Sequence, residues 1–448
     1  GSVGASRLSP EQQESLAIWE HYHRTVGGTL PKNIKTIVGV AVAERNETQT
    51  KELLRYYLEN VNPAYVAQLA EPKQKAAELK KRLDDLEKAI PATLVMEDRK
   101  KARQAHVLER GEYTLAKEPV ASSVPEWIAP AIEGAPKNRL GLAQWLVQPR
   151  HPLTSRVTVN RYWQQFFGIG FVKTTENFGV QSERSSHPEL LDWLALEFIK
   201  SGWDVKALHK RIVLSATYRQ SSRVTPAQYE RDPENRLLAR MTRQRLPSWM
   251  IRDQALFVSG LLVEKQGGPS VKPYQPGGVW AEATFGKKRY SQDKGEALYR
   301  RSLYTFWRRI VGPTMFFDES KRQTCEVRRS RTNTPLHALI TLNDIAYVEA
   351  ARAMAQRVLK EGGVDDAAHV SHAFRLATSR QPKPQEQTLL KKRVEQLRDN
   401  YKKDTVAAKA LLTVGEFKRD ETLDATDHAV YTVLCNLILN LDEVITRE

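Results

Sequence analysis

Hydrophobic positions recur every three or four residues over most of the chain, which predicts a mainly α-helical protein. In the N-terminal part, helices are predicted from Ser9-Pro10 to about Arg24 and over residues 46–59. A third helix is predicted to begin at Pro72 and to form an antiparallel hairpin or a short coiled-coil arm. We expect its apolar stripe to pack on the preceding helix, with partner binding as the alternative. The stripe consists of Ala76, Leu79, Leu83, Leu86 and Ile90.

Two segments of β-type composition follow the arm, at residues 92–96 and 105–114, and are predicted to pair as a small sheet. The next residues are rich in Pro, Ser and Ala, which indicates an extended connector. The predicted fold is therefore mainly α, with an N-terminal helical hairpin arm that carries a small β element and then a larger multi-helix domain. The predicted parts are the arm with its β element (1–115), the connector (116–137) and the main helical domain (138–448).

Helical periodicity continues through the main domain, with a glycine stop at the end of residues 154–170 and a break at Asn343-Asp344 inside residues 335–361. One stretch departs from this pattern. Residues 267–280 hold four glycines and three prolines around Tyr274 and Trp280, which predicts a long loop with specific backbone demands.

The segment that follows this loop, which we call the Arg/aromatic segment (299–331), concentrates positive charge and aromatic rings. It has eight arginines and one lysine against three acidic residues, a net charge of +6, with six interleaved aromatic residues. Guanidinium groups suit carboxylate, phosphate or sulfate and also stack on rings. The segment is therefore either a surface that binds anions or a buried arginine network. Candidate carboxylates for such a network are Asp192, Asp253, Asp318 and Asp344.

The composition of the whole chain narrows the function only slightly. A net charge of +16 over 448 residues favours acidic partners or a generally basic, solvated surface. No apolar run is long enough to span a bilayer. Two cysteines, Cys325 and Cys435, exclude a disulfide framework and a four-cysteine zinc site, and whether they are free is open. No signal peptide pattern follows Gly1-Ser2.

No established catalytic motif is present. The chain has no nucleophile elbow, no phosphate-binding loop, no dinucleotide fingerprint and no metal motif among its ten histidines. His187, which precedes Pro188 at a predicted helix start, is a weak candidate for the site. The absence of Cys-x-x-Cys-His means that the chain binds no covalently attached haem of its own.

Several long motifs resemble those of a known family. They are NRLGLAQWLVQPRHPLTSRVTVNRYWQQFFGIGFVKTTENFG (138–179), HPELLDWLALEFIKSGWDVKALHKRIVLSATYRQSS (187–222), GGPSVKPYQPGGVW (267–280), RRSLYTFWRR (300–309) and CEVRRSRTNTPLHALITLND (325–344). Together they resemble the C-terminal domain-of-unknown-function module of planctomycete exported cytochrome-c-domain proteins. Two positions depart from that resemblance: His337 stands where Gln is expected, and Ser248-Trp249 where a small residue and an acid are expected.

The resemblance implies export to the periplasm or cell surface and a c-type haem domain, in this protein or in a partner, as a neighbour. It implies haem only in N-terminal domains, no cofactor in this chain and no established activity. We expect a non-catalytic module that docks a haem domain or an anionic ligand. The alternatives are an enzyme acting on acidic or sulfated polysaccharide, and polyanion binding, although nucleic acid is not the expected partner. The predicted ligand-binding residues are Arg300, Arg301, Tyr304, Trp307, Arg308, Arg328, Arg329, Arg331, Asn333, Tyr274, Trp280 and His187.

Overall fold

A computed structural model describes residues 8–99, 101, 103–308, 310–320, 324–328 and 331–447. The chain divides into two units, Gly1–Val120 and Ala121–Glu448. Helices dominate both units, and strands occur only as two small antiparallel pairs within the described residues. The prediction of a mainly α protein with a small β element is therefore confirmed.

Four helices build most of the first unit. The first begins as predicted, because Ser9 accepts a hydrogen bond from the Gln12 amide and Pro10 occupies the first helical position. Asn46 caps the third helix in the same way, through the Gln49 amide. The helices are α1 (Pro10–Thr25), α2 (Lys32–Gly39), α3 (Glu47–Asn60) and α4 (Pro63–Ala89).

The start of α4 was predicted wrongly. Pro72 lies inside α4, nine residues after Pro63, and the helix continues through it. Asn62 caps the helix by accepting a hydrogen bond from the Tyr65 amide, and Pro63 supplies the preferred first residue. An internal proline removes one backbone hydrogen bond. The 27-residue helix nevertheless continues past it.

The small sheet pairs different segments from those predicted. Strand β1 (Ala105–Leu108) pairs antiparallel with β2 (Ala116–Val120), which lies at the start of the predicted connector. Residues 92–96 form no strand. The chain reverses locally, because Gly111 adopts a φ of 79° and the Glu109 amide donates to the Leu115 carbonyl at 3.0 Å. A short-range hairpin therefore replaces the predicted pairing.

Helices also dominate the second unit, which contains the Gly/Pro loop and the Arg/aromatic segment. Its helices up to residue 300 are α5 (Arg139–Val147), α6 (Thr154–Phe167), α7 (Pro188–Lys200), α8 (Val205–Leu214), α9 (Pro226–Arg231), α10 (Ser248–Ser259) and α11 (Val279–Ala283). The later helices are α12 (Pro335–Asn343), α13 (Ile345–Glu361), α14 (Asp366–Thr378), α15 (Pro384–Lys403), α16 (Thr405–Leu412), α17 (Ala425–Leu439) and α18 (Asp442–Ile445). Strand β3 (Gln244–Arg245) pairs antiparallel with β4 (Thr446–Arg447).

Two hydrophobic cores organise this unit. The smaller is formed by α6, α7 and α8, where Trp163 stacks on Phe167 with ring centroids 4.1 Å apart. The larger surrounds α13, which packs against α10 and α17, with α14 and α15 alongside. Helix α13 is almost enclosed: Ala350, Met354 and Val358 have no solvent exposure. The Gly/Pro loop and the Arg/aromatic segment of this unit carry the candidate site.

Two predicted boundaries that position the site are confirmed. Gly168 ends α6 with a φ of 80°, which glycine adopts without a steric penalty. Asp344 separates α12 from α13, and its carboxylate accepts a hydrogen bond from the Ala346 amide at 2.9 Å. No helix in the described part of the chain combines the length and apolarity that crossing a bilayer requires.

Candidate functional site

Arg300 fastens the Gly/Pro loop to the start of the Arg/aromatic segment. Its guanidinium donates to the carbonyls of Pro269 at 3.1 Å and Lys265 at 2.9 Å, and also to the Gly267 carbonyl. The guanidinium carbon lies 3.8 Å from the centroid of the Tyr304 ring. Arg300 is only 5% exposed, and both of its terminal nitrogens donate within the protein, whereas Nε has no partner.

Arg252 supports the same backbone from the α10 side. Its guanidinium donates to the Leu298 carbonyl at 2.8 Å, to the Arg300 carbonyl at 3.0 Å and to the Ser302 hydroxyl at 3.1 Å. Neighbouring Asp253 accepts from the Ser302 amide at 2.8 Å. Burial lowers the pKa of Arg252, and the Asp253 carboxylate, 3.6 Å away, partly offsets that effect. Arg252 therefore serves mainly to satisfy buried backbone carbonyls.

The two loop aromatics predicted to bind a ligand are both buried at 6% exposure. The Tyr274 hydroxyl accepts from the Glu416 amide at 2.8 Å, and burial, followed by the Glu349 carboxylate, raises its pKa. Trp280 stacks near Tyr290, with ring centroids 5.7 Å apart, and donates its indole N–H to Gln275. Neither ring presents an open face of the kind a ligand would stack on.

We call these residues the loop cluster: Arg252, Tyr274, Trp280, Arg300 and Tyr304. The Tyr304 hydroxyl accepts from the Gly267 amide at 2.8 Å, which completes the set of loop contacts. The expected buried arginine network therefore exists, but its partners are mainly backbone carbonyls instead of the predicted carboxylates. Asp192, one of those carboxylates, pairs with Arg156 at 2.6 Å.

A second group of polar residues lies at the other end of the segment, and we call it the Arg245 cluster. It consists of Arg245, Phe317, Asp318, Thr332, Asn333 and His337. The elements that supply it are β3, the backbone at 317–318, and the residues that lead into α12. The imidazole of His337 stacks on Phe317 with centroids 4.0 Å apart, and the Arg245 guanidinium carbon lies 5.4 Å from that phenyl ring.

Asp318 holds the centre of the Arg245 cluster. Its carboxylate accepts two hydrogen bonds at 2.7 Å, one from the Thr332 amide and one from the Thr332 hydroxyl. The His337 Nε2 atom lies 3.9 Å from the Asp318 Oδ1 atom. Asp318 has a φ of 57°, an unusual conformation for a non-glycine residue that often accompanies functional positions. The Asn333 side chain accepts from Arg245 at the solvent side.

Two nitrogen atoms of the Arg245 cluster are buried without a hydrogen-bond partner, namely Arg245 Nε and His337 Nδ1. Burial lowers the pKa of His337, although Asp318 acts in the opposite direction. Burial likewise lowers the pKa of Arg245, and the Asp318 charge partly restores it. His337 is 6% exposed, so its free nitrogen has no access to bulk water.

The remaining predicted residues lie in several places. Arg301, Arg308 and Arg328 are exposed, and Trp307 is half-buried and stacks near Phe316 at 5.8 Å. Arg331 contacts the Gln244 side chain, next to Arg245 in β3. Arg329 lies outside the described residues. His187 is the N-cap residue of α7, and its Nδ1 atom is 3.0 Å from the Ser186 hydroxyl.

The structure thus gathers Asn333 and neighbouring Arg331 near residues that the sequence analysis did not select. Arg245 carries no sequence signal, because it follows Arg240 and Arg243 in a short stretch outside the Arg/aromatic segment, before the Pro247 that precedes α10. His337 had one signal, its departure from the expected Gln. Asp318 was one of the candidate carboxylates for an arginine network, but its hydrogen bonds to Thr332 were not predicted.

The described residues contain no group of three or more His, Cys, Asp or Glu side chains that could hold a metal ion. Both cysteines are free, with Cys325 exposed and Cys435 fully buried. Burial raises the pKa of the Cys435 thiol, which keeps it in the unreactive protonated form. The chemistry that the Arg245 cluster offers is therefore recognition through a cation, an imidazole and a carboxylate.

Comparison with known proteins defines the class to which this fold and site belong. The family described as "Protein of unknown function (DUF1553)" matches residues 138–394, more than half of the chain. The chain therefore belongs to that family. The match includes both the loop cluster and the Arg245 cluster. No curated protein and no solved structure matches the chain.

Proposed function

We propose that the chain is a binding module for an anionic ligand and that the Arg245 cluster is its recognition site. The observation that carries the proposal is the grouping of Arg245 and His337 around the Phe317 ring beside the Asp318 carboxylate, with a buried, unpartnered nitrogen on each of the two basic side chains. An unsatisfied buried polar group costs about 1–3 kcal/mol, so such groups need an explanation in a native protein. A ligand that satisfies both atoms supplies one.

The chemistry of the ligand follows from the protons on these atoms. The Arg245 Nε–H is a cationic donor and suits a carboxylate or sulfate oxygen. The Nε2 atom of His337 faces Asp318 and, at 3.4 Å, the Thr332 hydroxyl, so we infer that Nε2 carries the proton. Nδ1 is then an acceptor, which suits a hydroxyl donor. An acidic group beside a hydroxyl is the pattern of a uronic acid in an acidic polysaccharide.

Charge elsewhere in the segment supports attraction of such a ligand. Arg301, Arg308 and Arg328 are exposed, and the chain has a net charge of +16. Exposed positive charge raises the local concentration and association rate of an anion, and salt weakens this effect. The exposed arginines thus add attraction, whereas the Arg245 cluster provides selectivity.

Titration calorimetry with uronic-acid, sulfated and neutral oligosaccharides tests the proposal. Wild-type protein is expected to bind the uronic-acid set best and the neutral set least. Arg245→Gln should weaken binding about 10- to 100-fold, since charge-assisted hydrogen bonds contribute about 1.5–3 kcal/mol. Arg301→Gln is the matched control, because Arg301 is exposed and outside the cluster, and should change affinity less than threefold, roughly.

Two results would contradict this proposal. One is indifference of the wild-type protein to every acidic glycan at low salt. The other is equal loss of affinity in the Arg245 and Arg301 variants, which would indicate general charge attraction without a recognition site. His337→Gln, which restores the residue that the resemblance leads us to expect, should alter the preference among uronic acids.

A second candidate function is cleavage of an acidic polysaccharide. The Asp318 carboxylate beside His337 resembles a carboxylate that orients an imidazole for proton transfer, and this contact favours the candidate. Incubation with uronic-acid polymers, followed by analysis of chain length, tests it. Cleavage that persists in both Asp318→Asn and His337→Gln variants would exclude this pair from the reaction.

The context of the module is a separate part of the proposal and rests on the sequence resemblance. We expect export to the periplasm or cell surface and a c-type haem domain as partner. A haem domain with an acidic face could dock on the exposed arginines of residues 301–328. Mixing the chain with such a domain at low and high salt tests this, and a lack of association at low salt would contradict it.

A further inference from the structure

Helix α4 carries a regular apolar seam that no described residue of the first unit covers. From Ala76 to Ile90 the apolar residues follow a heptad pattern, with spacings of three and four residues in alternation. Their side chains are exposed, at 55% for Leu79, 54% for Leu83, 62% for Leu86 and 59% for Ile90. Helix α4 has no buried residue along its 27-residue length. The predicted packing of this stripe on the preceding helix is therefore wrong.

The packing of α3 shows why the seam stays open. Leu54, Tyr57 and Leu58 of α3 form a small cluster with Tyr65, in the first turn of α4. That contact holds only the beginning of α4, and every residue from Ala70 to Ile90 is exposed. A two-helix coiled coil buries residues with this spacing as its central seam. The seam of α4 therefore forms one half of such an interface, and a second helix would be needed to bury it.

The charges that flank the seam indicate which helix fits. Residues at the two heptad positions beside the seam lie next to the partner helix and determine its identity by charge. In α4 these positions carry four positive charges and one negative charge, in the residues Lys73, Lys75, Lys80, Arg82 and Glu87. The acidic residues Asp84 and Asp85 lie outside these positions. A partner with acidic flanks would make four attractive contacts for one repulsive contact.

A second copy of this chain fits less well. In a parallel pair, Lys75 of one helix would face Lys80 of the other, and only Arg82 and Glu87 would attract. Attractive and repulsive contacts would then cancel. We propose that α4 is a docking arm for an amphipathic helix of a partner protein, with apolar seam residues and Glu or Asp beside them.

Two synthetic peptides of about four heptads test the proposal, both with Leu in the seam positions. One has Glu and the other Lys at the flanking positions. Full-length chain is mixed with each peptide, and binding is measured by calorimetry and by the gain of helical circular dichroism. The Glu peptide should bind at least tenfold more tightly than the Lys peptide, roughly, and added salt should reduce the difference.

Three variants make the result specific. Leu83→Asp should abolish binding of the Glu peptide without unfolding the protein, since Leu83 is exposed. Lys80→Glu combined with Arg82→Glu should reverse the preference between the peptides. Lys81→Glu is the matched control, because Lys81 lies on the side of α4 opposite the seam, and should leave the preference unchanged.

The proposal is overturned if neither peptide binds or if both bind equally well. It is also overturned if sedimentation shows a dimer of the chain that Leu83→Asp dissociates, because a second copy would then occupy the seam. The ligand-binding measurements on Arg245 are independent of all these outcomes, since they concern the second unit.

Discussion

The loop cluster and the Arg245 cluster both place arginine beside aromatic rings but use the arginines differently. In the loop cluster, Arg252 and Arg300 are buried and donate to backbone carbonyls. All three arginines keep a buried Nε atom without a partner, but Arg245 donates to the Asn333 side chain instead of to backbone, and His337 Nδ1 is unpartnered as well. Arginine thus has two uses in this unit: Arg252 and Arg300 stabilise irregular backbone, whereas Arg245 lies among side chains that we propose recognise a ligand.

The difference follows from what each backbone offers. The Gly/Pro loop turns repeatedly and exposes carbonyls that no helix or strand satisfies, and a planar guanidinium can donate hydrogen bonds to several such carbonyls at once. Around Arg245 the backbone is already paired, through β3 with β4 and through Thr332 with Asp318. Fewer backbone carbonyls there need a donor from a side chain.

Replacement of Arg252 should have the largest effect on stability. Arg252→Met would leave the buried carbonyls of Leu298 and Arg300 without donors and should reduce the free energy of unfolding by about 3–5 kcal/mol. Urea unfolding measures this change. Arg301→Met is the control, because Arg301 is exposed, and should stay within about 0.5 kcal/mol of wild type. Equal losses in the two variants would contradict the assigned roles.

Arg300→Lys should have the next largest effect. Lysine keeps the charge but has no planar fork, so we expect it to replace at most one of the three carbonyl contacts. The expected loss of unfolding free energy is about 1–3 kcal/mol. Arg308→Lys, at an exposed position, serves as the control. If Arg300→Lys were as stable as wild type, the loop would not depend on the guanidinium.

Arg245→Met should change stability little although it changes ligand binding strongly. Removal of a partly buried charge relieves its desolvation cost and offsets the lost contact with Asn333, so we expect a change within about 1 kcal/mol. Urea unfolding beside calorimetric titration measures both quantities. A loss of stability as large as that of Arg252→Met would place Arg245 with the structural arginines.

The smallest expected effect is a pH dependence from His337. Because burial lowers its folded-state pKa, the unfolded chain binds the proton more readily, and stability falls as pH drops below about 6.5. His151, His209, His372 and His428 have pKa values lowered in the same direction by burial. Unfolding measured between pH 8 and pH 5 should therefore show a steady loss of stability on acidification.

His337→Gln isolates the contribution of one histidine. The variant should lose less stability than wild type between pH 7 and pH 5, by a few tenths of a kcal/mol or more. At pH 8, where the neutral imidazole is present in both states, the comparison gives the effect of the substitution itself. An unchanged slope below pH 7 would mean that the His337 environment does not disfavour the proton.

Local features of the fold were predictable from the sequence. The helix stop at Gly168 and the break at Asp344 follow from glycine geometry and from an N-cap carboxylate, both of which act within a few residues. The partner of β1 was not predictable from composition, because a turn at Gly111 selects the nearer strand. The predicted start of α4 at Pro72 is wrong because proline is typical of a first helical turn, although Asn62-Pro63 gives the stronger signal.

The candidate site was less predictable, since its contacts join residues far apart in the chain. Arg245 meets Asn333 across 88 residues, and the donors of Arg300 reach carbonyls more than 30 residues away. Composition identified the Arg/aromatic segment as important. It could not separate arginines that donate to backbone carbonyls from arginines that face other side chains, because that division depends on where the backbone carbonyls lie in space.

Diffraction from crystals of the chain soaked with glucuronic acid tests the central claim most directly. The account predicts a carboxylate within hydrogen-bond distance of Arg245 Nε and a ligand hydroxyl at His337 Nδ1. A ligand bound only to the exposed arginines or to the loop cluster, with both nitrogens still unpaired, would contradict it.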